Sequence, residues 1–234
     1  MGVIVDRCAG DEVVESLKKL NIRYIKSTEL SHLYKPVNTH PDMQIHFIDE
    51  KTAVSAPSVF EYYKARLPLS IKLYKGANDP GSTYPFDCAY NVAKLGKRIV
   101  GNFSYTDAVI KELYQQSGYE FINTKQGYTK CSLCIVDKNS VITEDQGLSE
   151  TLINNGINVL KIQPGEVGLN NFEYGFIGGA SGEISPRKLA FFGDISKTVY
   201  SDKVISFIKD RDVDIIYLSQ TKLHDYGSLL YFED

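Results

Sequence analysis

The feature of this sequence that most constrains its fold is a pattern that recurs along the whole chain. Its clearest copy spans residues 128–162, where an apolar run, Cys131–Val136, a polar turn and a second apolar run are typical of a β-hairpin. Thr143 then lies three residues before a glutamine, a capping-box spacing that predicts the start of an amphipathic helix, and Gly156 marks its end. The apolar run Ile157–Ile162 follows, so the copy predicts strand, strand, helix, strand.

Four other parts of the chain repeat this pattern in whole or in part. The predicted last strands of the five copies end 40 to 56 residues apart, a period typical of repeat architectures. The N-terminal copy lacks its first strand, and the chain ends on a lone predicted strand, Leu229–Phe232. We predict that this strand pairs beside Gly2–Val5, so that five ββαβ modules close into an α/β propeller. The predicted modules of this single domain are 227–234 with 1–30, 40–75, 86–123, 128–163 and 173–219.

Composition excludes several classes of function. The 234 residues are 43% hydrophobic, enough to bury a large core, and their net charge is −3. Lys and Arg are scattered singly, which argues against binding to nucleic acid. No apolar stretch approaches the roughly 20 residues that cross a bilayer, and the first residues lack the apolar run of a signal peptide. We therefore predict a cytoplasmic protein that contacts neither membrane nor nucleic acid, with its four cysteines reduced.

In a ring of such modules, the residues just before or within each first strand face a central channel. Here these positions hold thiols, imidazoles, an amine and carboxylates. A thiolate attacks the flat carbon of an amidine, a histidine transfers protons, and carboxylates hold a guanidinium through paired hydrogen bonds. The channel residues are predicted to be His40 and Asp42, Asp87 and Cys88, Lys130 and Cys131, Glu173, and His224 with Asp225.

Short segments carry a resemblance to known proteins. Residues 40–49, HPDMQIHFID, resemble the deiminase pattern of His, any residue, Asp, and then a strand that ends in Asp. The segments HPDM, KQGYTKCS and GFIGGASG resemble an uncharacterised clostridial pentein-like family. With its five predicted modules, the chain resembles the pentein superfamily, which includes deiminases, amidinotransferases, dimethylargininase-like hydrolases and a non-catalytic ribosome anti-association factor.

The resemblance implies roles for the channel residues. In the enzymes of this superfamily an acid precedes the histidine by one module and the cysteine follows it by two. This order assigns Cys131 as the nucleophile, His40 as the acid and base, and Asp225 as the group that orients His40. If the channel is an active site, we expect Cys131 to be exposed to it, with its thiolate favoured by Lys130, by protonated His40 or by a bound cationic substrate. No cofactor is predicted, and the residues expected to bind a small guanidino or other cationic substrate are Asp42, Asp87, Lys130, Glu173 and His224.

Several of these residues also have a purely structural interpretation. Cys131 and Cys134 lie in one predicted strand with their side chains on opposite faces, so at least one of them is expected in the core. His40 and Asp42 are equally suited to capping a loop. The glycines between 178 and 182 indicate a wide hairpin turn rather than a phosphate-binding loop, because no Lys-Ser/Thr follows them.

The same residues bear on metal binding and on catalysis. No histidine pair has the close spacing of a metal site, so no metal is predicted, although ring closure would bring His40, Asp42 and His224 near one another. Two classes of function stay open. The first is a Cys-dependent hydrolase or transferase that acts on a small guanidine or amidine. The second is a catalytically silent pentein that binds a small cationic ligand, or a protein or ribosomal surface.

Overall fold

The strands form five small sheets of three strands each. In every sheet the middle strand pairs antiparallel with one neighbour and parallel with the other. The computed structural model describes residues 1–233. Within them the strands are β1 Gly2–Val5, β2 Arg23–Lys26, β3 Ile45–Asp49, β4 Thr52–Ser55, β5 Lys72–Lys75, β6 Ala93–Leu95, β7 Arg98–Gly101, β8 Glu120–Asn123, β9 Cys134–Asp137, β10 Ser140–Thr143, β11 Asn158–Lys161, β12 Ser181–Ser185, β13 Lys188–Phe191, β14 Asp214–Tyr217 and β15 Leu230–Phe232.

The order of the strands repeats from sheet to sheet. The sheets run β15-β1-β2, β3-β4-β5, β6-β7-β8, β9-β10-β11 and β12-β13-β14. A helical segment precedes the last strand of every sheet, as the recurring sequence pattern predicts, and the expected fold of five ββαβ modules is confirmed. The helices are α1 Asp11–Lys19, α2 Phe60–Lys64, α3 Ala108–Gln116, α4 Thr129–Ser132, α5 Gln146–Asn154 and α6 Ser201–Lys209, with 3₁₀ turns at Pro41–Met43, Pro57–Val59 and Ile195–Lys197.

The helices are short and amphipathic. In α1 the side chains of Val13, Val14 and Leu17 are buried, and their spacing places them on one face of the helix. Among residues 1–233 no helix has the length and apolar character needed to cross a membrane.

Helix α5 begins at an aspartate and not at the predicted Thr143. Asp145 Oδ1 accepts a hydrogen bond of 2.7 Å from the backbone N–H of Leu148, as an N-cap residue does. Thr143 is the last residue of β10, and its hydroxyl donates to the carbonyl of Ser132 at 2.7 Å. The capping-box prediction was wrong because the threonine hydroxyl ties the strand to helix α4.

The two ends of the chain meet in one sheet. Strand β15 pairs antiparallel with β1, with Phe232 opposite Gly2 and Leu230 opposite Ile4. Every residue of β1 is buried, as expected for a strand paired on both edges. The Phe232 ring is fully buried and stacks on Phe47 of the neighbouring sheet at a centroid distance of 6.0 Å. The predicted pairing of the terminal strands is therefore confirmed.

Neighbouring modules share their hydrophobic cores. Val3 and Leu17 of the N-terminal module pack in one buried cluster with Ile184 and Phe192 of the module that precedes β15. Burial of an apolar side chain of this size contributes about 1.5–3 kcal/mol. A module on its own would expose this surface, so the modules stabilise one another.

A tight turn precedes the first strand in several sheets. Residues Pro41–Met43 form a 3₁₀ turn before β3, and helix α4 lies directly before β9. Cys131 lies in α4, so its predicted place in a strand was wrong, although Cys134 does begin β9. The glycines at 178 and 179 also precede a first strand, β12, whereas the hairpin turn between β12 and β13 lies at 186–187. The prediction of a wide glycine-rich hairpin turn was therefore also wrong.

Truncation of Phe232 tests whether closure by β15 stabilises the whole array. Phe232→Ala removes a fully buried ring from the β1–β15 sheet and, with it, the stacking contact with Phe47. We expect a loss of about 3–5 kcal/mol in the free energy of unfolding. Val199→Ala is the control, because Val199 is 82% exposed and its truncation should change stability by less than about 0.5 kcal/mol. Urea denaturation of both variants measures the difference. Equal stabilities would contradict the role of β15.

Candidate functional site

Residues that lie just before the first strands meet at the centre of the molecule. Asp42, Asn91, Cys131, Gly178 and Ser228 each precede the first strand of a different sheet by two or three residues. Asn91 Nδ2 donates to Cys131 Sγ at 3.1 Å, and the Cys131 thiol donates to Asp42 Oδ2 at 2.9 Å. Ser228 Oγ lies 2.8 Å from the same Asp42 oxygen and 3.1 Å from the carbonyl oxygen of Gly178. All five sheets therefore contribute to one buried hydrogen-bond network.

His40 and Asp225 complete the cluster. His40 Nδ1 lies 3.8 Å from Asp225 Oδ1, which is beyond hydrogen-bond distance. Asp225 is held by two backbone N–H donors, those of Phe176 and Gly227, each at 2.9 Å. One ring nitrogen of His40, one carboxylate oxygen of Asp42 and Cys131 Sγ all lie within 4.8 Å of one another. The structure therefore brings together His40, Asp42, Cys131 and Asp225, four of the residues predicted from the sequence.

Two buried polar atoms of this cluster have no hydrogen-bond partner among residues 1–233. They are His40 Nδ1 and Asp42 Oδ1. Leaving a buried donor or acceptor unpaired costs about 1–3 kcal/mol, so such atoms are uncommon in folded proteins. Here both atoms belong to one cluster, which is the arrangement expected where a ligand supplies the missing partners.

Burial controls the chemistry of the Cys131 thiol. Its side chain is 4% exposed, and burial, followed by the nearby charges of Asp42 and Asp225, raises the pKa of the thiol well above its usual value. The expectation that Cys131 is exposed was therefore wrong. Lys130 is itself partly buried, and burial lowers the pKa of its ammonium group against the opposing effect of Asp42. Without a ligand, the thiol stays protonated at neutral pH.

Asn91 shapes the turn that carries the thiol. Its Oδ1 accepts hydrogen bonds from the backbone N–H groups of Lys130 at 2.7 Å and Cys131 at 3.1 Å. These two donors lie at the start of α4 and have no partner within the helix, so a side chain from another module satisfies them. The sequence prediction missed Asn91 because it placed Asp87 and Cys88 at the start of the first strand of this module, whereas that strand, β6, begins at Ala93.

A further carboxylate, Asp6, lies close to His40. Asp6 follows strand β1, is buried, and accepts hydrogen bonds from Thr39 Oγ1 at 2.9 Å and from the backbone N–H of Cys8 at 2.6 Å. Burial raises the pKa of the Asp6 carboxyl, and the charge of His40 opposes this effect. Sequence reasoning missed Asp6 because it lies at the end of a middle strand and not before a first strand.

The remaining predicted residues lie around the cluster or away from it. Asp87 is fully buried, and its Oδ2 accepts a hydrogen bond of 2.5 Å from Tyr128, whose hydroxyl contacts Tyr34 at 2.8 Å. Asp87 Oδ1 has no partner among the described residues. Glu173 is exposed and lines a separate cleft of about 430 Å³ together with His224. Burial and the charge of His40 lower the pKa of His224. His224 also lines a cavity of about 150 Å³ together with His40 and Asp225, whereas Glu173 does not line that cavity.

Residues of the cluster line two cavities. The larger, of about 1050 Å³, is lined by residues of the first strands and hairpin turns and includes Asp42 and Lys130. The smaller, of about 150 Å³, is lined in part by Asp6, His40 and Asp225. Asp42 and His40 therefore border different cavities, although they belong to one cluster.

Another buried carboxyl group, that of Glu144, contacts the turn that lies against Cys131. Both oxygens of Glu144 accept from the backbone N–H of Ile177, at 3.0 and 3.3 Å. In the turn that Ile177 begins, the N–H of Gly179 donates to the carbonyl of Cys131 at 2.8 Å. Burial raises the pKa of Glu144 to about 8, so this side chain is largely protonated at neutral pH.

Comparisons with known proteins show the family and the fold. Residues 4–230 match a family of unknown function, DUF6873, and no curated protein matches the chain. Among solved structures, SxtG, an amidinotransferase from Microseira wollei, is 12% identical, with a TM-score of 0.56, over 95% of this chain and 78% of its own. DDAH from Pseudomonas aeruginosa, in complex with citrulline, is 9% identical, with a TM-score of 0.57, over 97% and 92%. Agmatine deiminase from C. jejuni is 12% identical, with a TM-score of 0.51, over 92% and 75%.

All three structures belong to the pentein superfamily. At these low identities the likeness shows the fold alone. The predicted pentein architecture is therefore confirmed, while the chemistry of the site has to be argued from its own residues.

Glu144→Gln tests the protonation state of the Glu144 carboxyl group. The folded pKa of about 8 lies above the usual 4.5, so between these values the unfolded chain ionises while the folded chain keeps its proton, and stability falls as pH rises. The glutamine cannot ionise and still accepts from Ile177. At pH 8 we expect the variant to be more stable than the wild type by about 1–3 kcal/mol, with little difference at pH 4. Urea denaturation at pH 4 and pH 8 measures the difference in stability. A difference that does not change with pH would contradict the raised pKa of Glu144.

Gly179→Ala tests the close approach of the backbone to Asp225. A Cβ at Gly179 would overlap the Asp225 carboxylate, so we expect a loss of about 1–3 kcal/mol in unfolding free energy. Gly10→Ala is the control, because a Cβ there meets no atom within 4 Å. In an Asp225→Ala background the cost of Gly179→Ala should shrink, since the overlapping side chain is gone. Equal costs in both backgrounds would show that the overlap is not the cause.

Proposed function

We propose that this chain, which belongs to the family of unknown function DUF6873, is a Cys-dependent hydrolase or transferase that acts on a small guanidine or amidine compound. One observation carries the proposal: Cys131 meets His40 and Asp42, which come from another module and lie about 90 residues earlier in the chain, in one buried cluster with Asp225 beside the histidine. The structural neighbours named amidinotransferase and agmatine deiminase carry chemistry of this class on the same fold.

The charge of the site favours a cationic ligand. The carboxyl groups of Asp42, Asp225 and Asp6 surround His40, and Asp42 Oδ1 has no partner among the described residues. A guanidinium group offers planar N–H donors to such an oxygen. Its positive charge would also offset the carboxylates that raise the pKa of Cys131, so the substrate itself promotes formation of the thiolate.

The proposed reaction uses these residues in turn. His40 takes the thiol proton, and the Cys131 thiolate attacks the amidine carbon, so that an S–C bond forms and the π pair of the C=N bond moves to nitrogen. The leaving amine then departs with the proton from His40, and the amidine carbon stays bound to sulfur. Water in a hydrolase, or a second amine in a transferase, attacks that carbon after giving its proton to His40, and the Cys131 thiolate leaves. Asp225 orients the imidazole throughout.

The other predicted binding residues fit ligands of different length. Asp87 and Lys130 lie near the cluster and suit contacts to a small substrate. His224 suits a substrate that extends through the smaller cavity. Glu173 lies in the 430 Å³ cleft, so it suits only a ligand that extends from the cluster into that cleft.

A second candidate function is a catalytically silent protein that binds a small cation. The observation that favours it is the compactness of the cluster, because the reactive atoms of His40 and Cys131 lie within 4.8 Å. A planar amidine between them needs about 3.5 Å of contact distance on each face. Catalysis therefore requires His40 and Cys131 to separate when the substrate binds, whereas a binding protein requires no such movement.

Selective labelling of Cys131 distinguishes the two candidates. We expect an amidine that carries a thiol-reactive leaving group to modify Cys131 before the other cysteines, because Asp42 binds the amidinium beside the sulfur. An excess of a guanidino compound should protect Cys131. Asp42→Asn and His40→Ala should each slow labelling by about tenfold or more, through loss of the charged contact and of the general base. Peptide mass spectrometry measures the rates.

The controls use the other cysteines and an uncharged reagent. Cys134→Ser should leave the labelling rate of Cys131 unchanged, since Cys134 is buried outside the cluster. A neutral alkylating reagent should modify Cys8 first, because Cys8 is exposed and Cys131 is not. Amidine labelling that is uniform across the four cysteines, or that no guanidine slows, would exclude the enzyme and leave the binding protein.

A further inference from the structure

The residues at the centre of the molecule also have the composition of a metal site. His40, Asp42 and Cys131 each offer one ligand atom, and the three atoms lie within 4.8 Å of one another. All three side chains are buried. His40 Nδ1 and Asp42 Oδ1 have no hydrogen-bond partner among residues 1–233, which is an independent sign that something else completes the site.

We infer that His40, Asp42 and Cys131 bind one Zn²⁺ ion per chain in an exchangeable site. Thiolate sulfur, imidazole nitrogen and carboxylate oxygen are the ligands that Zn²⁺ takes in proteins, whereas Mg²⁺ and Ca²⁺ prefer oxygen alone. Three protein ligands leave a fourth coordination position open to water, and such sites exchange their metal more readily than closed ones of four ligands.

The distances require only small adjustments. Bonds of about 2.0–2.3 Å in a tetrahedron place ligand atoms about 3.3–3.8 Å apart. The contact of Cys131 Sγ with Asp42 Oδ2 is shorter, at 2.9 Å, and the widest separation in the cluster is below 4.8 Å. Side-chain rotations that move each ligand atom by less than about 1 Å bring the three atoms to the metal geometry.

The surroundings already orient two of the ligands. Ser228 Oγ donates to Asp42, and Asn91 Nδ2 donates to Cys131 Sγ. Outer hydrogen bonds of this kind fix the direction of metal ligands and raise affinity about 10–100-fold.

Metal binding would exclude the chemistry proposed above. When Zn²⁺ binds, the S–H bond of Cys131 breaks, a Zn–S bond forms from the same electron pair, and the proton leaves to solvent. The sulfur is then unavailable for attack on an amidine carbon. The metal site does not rest on the proposed enzyme function, because the same three ligands bind Zn²⁺ whether or not the protein has a substrate.

A cobalt titration of the full chain tests the site directly. Co²⁺ takes the same ligands as Zn²⁺, and a cobalt–thiolate bond gives a charge-transfer band in the near ultraviolet. We expect this band to saturate at one Co²⁺ per chain and to disappear when Zn²⁺ is added. Cys131→Ser should abolish it, and His40→Ala should weaken cobalt binding by more than about tenfold. Cys134→Ser and Cys8→Ser should leave both the band and the affinity unchanged.

Further measurements separate this inference from misfolding and from the function proposed above. Circular dichroism checks that each variant is folded, and Asp42→Asn keeps the thiol and so tests the carboxylate ligand alone through weaker cobalt binding. No band in the wild type, or a band that persists in Cys131→Ser, would overturn the metal site. Amidine labelling of the metal-free protein gives a separate result. The metal site and the enzyme function can therefore be contradicted independently.

Discussion

The carboxylate of Asp42 holds the centre of this molecule together. One of its oxygens contacts the Cys131 thiol, 89 residues away in sequence, and the Ser228 hydroxyl, 186 residues away. Contacts between such distant turns require every module to be in place, and the array closes only because β15 pairs with β1. Closure of the ring and assembly of the site are therefore one structural constraint.

The same constraint determines the electrostatics. Convergence of the pre-strand turns places Cys131 and several carboxyl groups away from water, where burial and neighbouring negative charge both raise the pKa of the thiol. A positive charge in the cluster would lower it. A guanidinium and a metal ion each carry positive charge. The amidine chemistry and the zinc site proposed above would therefore both offset the negative charge of the cluster.

Glycines allow the turns to approach so closely. A Cβ at Gly178 would lie 2.5 Å from the carbonyl oxygens of Lys130 and Cys131, and one at Gly179 would overlap Asp225. Gly227 has a positive φ of 67° and contacts His40 from the other side. The absence of side chains at these positions lets the backbone itself form the wall of the site.

The sequence by itself determined the five modules, their strand and helix types, and the completion of β1–β2 by the C-terminal strand, because apolar periodicity and turn residues act locally. Its resemblance to penteins also selected His40, Asp42, Cys131 and Asp225, which the fold brings together. Only the tertiary structure placed Cys131 in a helical turn, recruited Asn91 and Ser228, buried the thiol and left Glu173 outside. These features depend on hydrogen bonds and burial between modules that lie far apart in the chain, and a local pattern of residues does not encode them.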